Sequence, residues 1–338
     1  MCLYPKTILN KKYLPNKKNK YNPEKCTDER KRYITADCGY CWQCRKKKAN
    51  DWKVRLNEEI RTNKDAYFVT LTFDDESYNK LKTKYKLKDE NQIATKAIRL
   101  VLENIRKTTK KYARHWFITE KGHENTKRLH LHGIVWDKET TRTLCEKWTY
   151  GIKFVGTFVN ERTMGYIVKY MNKEDTENKY FIGKVICSKG IGKNYIERED
   201  AKNNIYKGEK TNTTYRYRNG SIIQLPKYYK NKIYTEEERD KLWSILLDKD
   251  EYYICNSKYK GKDHEERDRL LEMHREEKWK FSKIDWEANK KAKSEKGKAR
   301  ANIIRKKLDK TINRKIEKQL EIDNIMLNCP NERYDLPF

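Results

Sequence analysis

Apolar residues are what this chain has least of. They make up 36% of its 338 positions with tyrosine counted. Exchanging tyrosine for glycine, to match the usual tally, lowers that to about 33%, against roughly 45–50% in average globular chains. A single large oily core is excluded, so part of the chain must be solvated helix, tail or extended binding surface. No uninterrupted apolar stretch approaches the roughly 18–20 residues that cross a bilayer, and MCLYPKTILNKKYLPNKKNK lacks the apolar middle of a signal peptide. The expectation is a cytoplasmic protein without a membrane partner. No leucine or isoleucine heptad persists either, which leaves coiled-coil pairing unsupported and the oligomeric state open.

Acidic charge is also short: 50 Asp and Glu face 79 Lys and Arg, a formal charge of +29. An A/T-rich coding sequence would enrich lysine, but glutamate with it, so the excess needs another reason. A field of that size attracts polyanions, and nucleic acid is the strongest candidate because each neutralised phosphate releases counterions. The 24 tyrosines could stack on single-stranded bases, although half-buried core positions in place of leucine and valine account for most of them.

The nine cysteines, an odd number with no secretory signal, argue against a disulfide framework. Cys38, Cys41 and Cys44 stand at two-residue spacing in CGYCWQC. Thiolates so spaced can share one tetrahedral zinc ion, with Cys26 expected as the fourth ligand and Cys2 in reserve. The bland alternative is three cysteines along one helical face, which Gly39 disfavours. Directly after them, RKKKANDWKVRLNEEIRTN reads as an amphipathic helix whose first turn, Arg45, Lys46, Lys47 and Lys48, is basic and suited to DNA.

Between charged flanks lies a mixed segment. Residues 66–73 alternate as a strand ended by Asp74-Asp75, residues 92–112 carry a helical stripe, and 115–120 and 129–136 read as two strands joined by a polar connection. A helix over 141–148, a short strand over 156–160 and a helix over 163–173 complete an α+β order with a mainly antiparallel sheet. Four segments are expected: a cysteine-rich piece with its basic helix over 1–62, the mixed core over 63–195, an accessory hairpin and helix over 196–250, and a charged, mainly helical tail over 251–338. The hairpin signal is Asn219-Gly220 within TYRYRNGSIIQ, with Arg216 and Arg218 placed to contact DNA. Residues 290–318 hold 13 basic and 3 acidic residues. Such a run is a solvated face or a non-specific DNA grip.

The densest chemistry is in LHLHGIVW. Period-two geometry puts His130 and His132 on one face and Leu131 on the other. Two imidazoles with Glu120 of the preceding strand would make a metal set with open positions, although His123 competes for the third place. A lone H-x-H is otherwise two polar residues on a solvated strand. Tyr166, Lys169, Tyr170 and Lys173 then recur at i, i+3, i+4 and i+7, on one helical face. Either this face is merely exposed, or it is a nucleophile set. A phenol is a weak nucleophile near neutrality; Lys169 could favour the phenolate and a metal could polarise a phosphate. Attack on a phosphodiester would leave a 5′-phosphotyrosine and a free 3′-OH.

FVTLTF at 68–73, His130-Leu131-His132-Gly133, and Tyr166-x-x-Lys169-Tyr170-x-x-Lys173 resemble the three successive motifs of the HUH endonucleases, which start rolling-circle replication. MCLYP, CGYCWQCR, CSKGIG at 187–192 and LPKYY at 225–229 are similar to blocks of the replication-initiation proteins of Microviridae, in the gokushovirus branch. The resemblance implies a central antiparallel sheet with the histidine strand in the middle and the tyrosine helix facing it. His130, His132 and Glu120 would bind Mg²⁺ or Mn²⁺. Tyr166 and Tyr170 would be alternating nucleophiles, and Lys169 and Lys173 would contact the scissile phosphate. The substrate would be single-stranded origin DNA in a bacterial host's cytoplasm, with host helicase and polymerase as partners. The alternatives are a plasmid-type replication or mobilisation nickase, and a non-catalytic zinc-stabilised DNA-binding protein.

Overall fold

The computed structural model describes residues 1–122, 128–156, 159–172, 181–255 and 257–276. Met1–Arg267 make one compact unit and Asp268–Phe338 a second. The first unit opens with the strands β1 (Lys6–Leu9) and β2 (Tyr33–Ala36), paired antiparallel, and the long helix α1 (Trp42–Thr62). Then come β3 (Ala66–Thr72), α2 (Asp75–Lys84), α3 (Glu90–Thr109), β4 (His115–Lys121), β5 (Leu129–Trp136), α4 (Lys138–Lys147), β6 (Lys153–Gly156), α5 (Glu161–Asn172) and β7 (Val185–Cys187). Strands three to seven form one antiparallel sheet in the order β6-β3-β5-β4-β7. The architecture is α+β as expected, and the strand with both histidines is its centre.

The pleat of β5 sorts its side chains between two layers. Leu129, Leu131 and Val135 join Val69, Leu71 and Phe117 beneath α3 and α4, where Ile93, Ala97, Val101, Ile105 and Leu144 are buried. Gly133 lies opposite Phe117, and a Cβ there would come within 2.1 Å of the Phe117 ring, so only glycine lets that ring cross the strand. On the other face Ile134 and Trp136, with Trp116, Ile118 and Ala66, pack beneath Ala49 and Leu56 of α1 and Met164, Ile167, Val168 and Met171 of α5. His130 and His132 share this second face.

Several elements differ from the expectation. Asp74 both ends β3 and caps α2, accepting the Ser77 N–H at 2.7 Å, so the strand terminator is also a helix start. The edge strand lies at Lys153–Gly156 rather than 156–160, because Trp148 and Tyr150 pack on Phe73 and the chain pairs with β3 at once, through Thr72 N–H to Ile152 O at 2.7 Å. After the helix α6 (Glu199–Lys202), the Asn219-Gly220 signal gives the hairpin β8 (Thr214–Arg216) and β9 (Ile222–Gln224). The helices α7 (Lys227–Ile233) and α8 (Glu236–Lys249) follow. Where the pattern looked helical, β10 (Glu251–Ile254) and β11 (Ser257–Lys260) make another hairpin, with Tyr252 opposite Tyr259. The basic run 290–318 lies outside the described residues.

Two adjacent carboxylates on α1 tie these parts together. Glu58 is fully buried and takes both oxygens to Arg198 at 2.9 and 2.8 Å, with the Tyr215 hydroxyl donating to it. Glu59, also buried, accepts from Arg114, Asn63 and the Gly192 N–H. Burial pushes the Glu59 carboxyl up, but Arg114 and the Gly192 N–H more than offset this and hold it below the usual glutamate value. Tyr229 is buried and its hydroxyl donates to Gly192 O at 2.8 Å. The 187–192 and 225–229 blocks are thus anchors that fasten the later chain to α1.

Removing one partner of such a buried pair leaves the other charge uncompensated. Glu59→Ala is expected to cost about 3–5 kcal/mol in urea unfolding. Because the folded value is depressed, the Glu59 contribution is present above the unfolded glutamate value and lost as pH falls through the folded one. A Glu59→Gln variant should therefore lose less stability than the wild type on acidification below about pH 4.5.

Candidate functional site

The centre of the sheet presents its chemistry toward α5. Register places His130 opposite Thr72 on one side and Glu120 on the other, and His132 opposite Thr70 and Ile118. The Thr72 hydroxyl lies 2.8 Å from His130 Nδ1, and the Thr70 hydroxyl 3.0 Å from His132 Nδ1. Glu120 reaches diagonally to His132, Oε2 to Nε2 at 2.8 Å. A hydroxyl both donates and accepts, so each threonine holds its ring in place whichever nitrogen carries the proton. With the proton on Nδ1 and donated to threonine, Nε2 keeps a lone pair. That is the form a metal ligand needs. Gly122 makes room for this arrangement: a Cβ there would sit 2.7 Å from His130 Nε2.

Helix α5 is laid on the sheet by Met164, Ile167, Val168 and Met171, all buried. Its other face then carries Tyr166, Lys169 and Tyr170. The Tyr170 ring stacks on the His132 imidazole, centroids 4.1 Å apart and planes 9° from parallel. The Tyr170 hydroxyl donates to the Tyr166 oxygen at 2.7 Å. Tyr166 is 51% exposed while Tyr170 is half-buried. Burial, then the bond to Tyr166 and the nearby Glu120 charge, push the Tyr170 phenol well above its usual value. These are the groups that set it, and Lys169 is exposed. Lys173 and His123 lie outside the described residues. His130, His132, Glu120, Tyr166 and Tyr170 are therefore drawn into one constellation. His115, by contrast, is buried between Ala113 and Ser188, which keep its ring fixed.

The second cluster corrects the sequence reading. Cys2, not Cys26, joins Cys38, Cys41 and Cys44, with all four sulfurs within 4.8 Å of one another. Cys26 instead donates to Asp28 O. The reason is the anchoring of the chain start: the Met1 amine donates to Tyr253 O at 2.8 Å and Leu3 is buried, which swings Cys2 against the start of α1. The Cys2–Cys41 and Cys38–Cys44 sulfur distances are 3.8 and 3.9 Å. Four Zn–S bonds of about 2.3 Å in a tetrahedron put sulfurs roughly 3.8 Å apart. The backbone N–H groups of Tyr4, Cys38 and Cys41 point at cluster sulfurs at 3.3 Å. Burial raises the Cys41 thiol, but the N–H groups of Leu3 and Cys44 with the Cys44 and Cys38 thiols more than offset it, to about 7. The set can hold a structural metal such as zinc. Among the described residues it is the one group of three or more such donors gathered this tightly; His130, His132 and Glu120 stand wider apart.

Beyond the cluster, Lys46, Lys47 and Lys48 are exposed on the first turns of α1, with Lys47 paired to Asp37 and Arg45 partly covered. Arg216 and Arg218 are exposed on the β8–β9 hairpin. Nothing in the sequence pattern announced Thr70 and Thr72 as imidazole partners, although their alternation with the core residues Val69 and Leu71 puts them on the histidine face. The cluster generates a direct check. Protein purified without chelator should carry one zinc per chain by elemental analysis; Cys2→Ser should lose it, and Cys26→Ser should keep it.

Residues 66–175 match the family of replication-associated proteins of the ORF2 and gene-2-protein type. The matched stretch runs from the first residue of β3 past the end of α5, so it takes in the whole histidine and tyrosine constellation and leaves out the cysteine cluster, α1 and the β8–β9 hairpin. No curated protein and no solved structure matches the chain. No helix among the described residues is long and apolar enough to cross a membrane. The family match supports a replication initiator, for which DNA is the partner.

Proposed function

We propose that this chain initiates rolling-circle replication as a site-specific single-strand DNA nickase and strand transferase of the HUH type, in the manner of the Microviridae initiators. The observation that carries the reading is the stacking of Tyr170 on His132. It brings a helix bearing two phenols onto the only pair of imidazoles that one strand face presents among the described residues. A structural role for the tyrosines would not require them to meet the histidines.

The roles follow from the surroundings of each group. Tyr166, the more open of the two, receives a hydrogen bond from Tyr170, which orients its oxygen and leaves it accessible to a strand. Attack by that oxygen on phosphorus forms a phosphotyrosine bond as the bond from phosphorus to the 3′ oxygen breaks. The phenol proton is given up to solvent, and the leaving 3′ oxygen gains one. Tyr170, protonated near neutrality, is the reserve nucleophile for a second cut, after which the free 3′-OH closes the displaced strand. A divalent ion, Mg²⁺ or Mn²⁺, held by His130, His132 and Glu120 would withdraw charge from the phosphate. Lys169 and Lys173 serve the same phosphate. The cysteine cluster, with zinc, fixes the start of α1 and thereby its basic turns, Arg45 to Lys48, as a docking surface. Helicase and polymerase would come from a bacterial host.

Incubating the chain and Mn²⁺ with a tiled set of labelled single-stranded oligonucleotides covering its own genome should give a covalent protein–DNA band on a denaturing gel. The band should vanish in the Tyr166→Phe/Tyr170→Phe double variant and fall at least 100-fold in His130→Ala. Tight binding without any adduct across the whole set would instead indicate a non-catalytic DNA-binding protein.

A further inference from the structure

A cavity of about 630 Å³ opens between the β8–β9 hairpin and the segment from Tyr195 to Asn204, far in sequence from the histidine strand and outside the matched stretch. Ligand pockets span roughly 300–1,000 Å³. Its wall is fixed in advance: Asn204, 1% exposed, accepts from the Tyr195 hydroxyl and donates to Asn212 O at 2.7 Å and Thr214 O at 2.9 Å. A prebuilt wall costs a ligand little ordering entropy.

Charge at this cavity is uneven. Four arginines line it against the single carboxylate of Asp200. Arg61 and Arg198 are committed to the buried Glu58, at 3.3 and 2.8 Å. The other two stand at the mouth. Arg216 forms no ion pair among the described residues, and Arg218 meets Glu161 only at 3.9 Å, with both of those side chains more than half exposed. Two guanidiniums so placed suit a phosphate diester. Between them in sequence Tyr217 lines the cavity with its ring, and the exposed Asn203 offers an amide that can donate and accept.

We propose that this cavity takes one nucleotide of a single DNA strand, its base beside Tyr217 and Asn203 and its phosphate on Arg216 and Arg218. The proposal rests on the reading above only in taking single-stranded DNA as substrate. Its place in the fold favours a strand over a free nucleotide. Glu161, the neighbour of Arg218, is the first residue of α5, and Tyr166 follows five residues on, about 7.5 Å along the helix axis. One short strand can then occupy the cavity and present a phosphate to Tyr166. The cavity would read a base next to the cut while the tyrosine acts on the backbone.

The test is made in the Tyr166→Phe/Tyr170→Phe background, so that binding is read without chemistry. Fluorescence anisotropy with a labelled single-stranded oligonucleotide should show Arg216→Ala/Arg218→Ala binding at least tenfold more weakly. The slope of log affinity against log salt should fall by about 0.7 for each phosphate that is no longer neutralised. Unchanged thermal unfolding would exclude misfolding, and Tyr217→Phe, which keeps the ring, should bind as the background does. Affinity within twofold of the background for the double arginine variant would overturn the proposal, as would a deoxynucleoside 5′-monophosphate that competes at the same concentration as the oligonucleotide. The two readings fail separately: an adduct with arginine-independent binding sinks the cavity alone, and arginine-dependent binding with no adduct in the otherwise native chain sinks the nickase alone.

Discussion

Alternation along β5 is the constraint on which the remaining structure depends. A central strand must be covered on both faces, and its pleat sends Leu129, Leu131 and Val135 one way and His130, His132, Ile134 and Trp136 the other. The first set can be sealed by ordinary apolar helices, and α3 and α4 do so. The second mixes two polar rings with two large apolar side chains, so its cover must be mixed as well. Helix α5 meets that demand by turning Met164, Ile167, Val168 and Met171 to the apolar part while Tyr170 lies flat on the imidazole. The threonines of β3 complete the polar half by hydrogen bonding the ring nitrogens that face them. Satisfying the buried polar groups and building the reactive constellation are thus one arrangement.

Helix α1 plays the corresponding part for the rest of the first unit. Its start carries Cys41 and Cys44, its middle packs Ala49 and Leu56 on the sheet, and its end buries Glu58 and Glu59. Buried carboxylates are costly unless fully paired, and these are, by Arg198, Arg114, Tyr215 and the Gly192 N–H. The segment from Ser188 to Tyr229 follows the sheet in sequence yet is pinned to a helix that precedes it. The cavity at the β8–β9 hairpin is the product of that pinning: Arg61 and Arg198, drawn in by Glu58, form its floor, and the hairpin arginines remain at its mouth.

Much of this was legible in the residues, for reasons of periodicity. The strands at 66–72, 115–121 and 129–136 announced themselves by alternation, and the shared face of His130 and His132 followed from spacing two. The facing of Tyr166 and Tyr170 followed from spacing four. Helix α2 was hidden because Asp74-Asp75 reads equally as a strand end and a helix cap, and Lys153–Gly156 because four residues give too short a pattern. The choice between Cys26 and Cys2 could not be made from spacing, since it depends on Met1 meeting Tyr253, about 250 residues away. Nor could Glu58 and Glu59 be recognised as buried; within RLNEEIRTN they look like any solvated pair, and their partners are more than 50 residues distant.

The central claim is that His130, His132 and the tyrosines of α5 form a single centre rather than two neighbouring surfaces. The most direct measurement is paramagnetic broadening by Mn²⁺ of ring resonances in protein labelled at histidine and tyrosine. Substoichiometric Mn²⁺ should broaden the His130, His132 and Tyr170 rings first and together, leaving the rings of His115 and Tyr229 sharp. Broadening that spares both histidines of β5, or that reaches them without reaching Tyr170, would contradict the account.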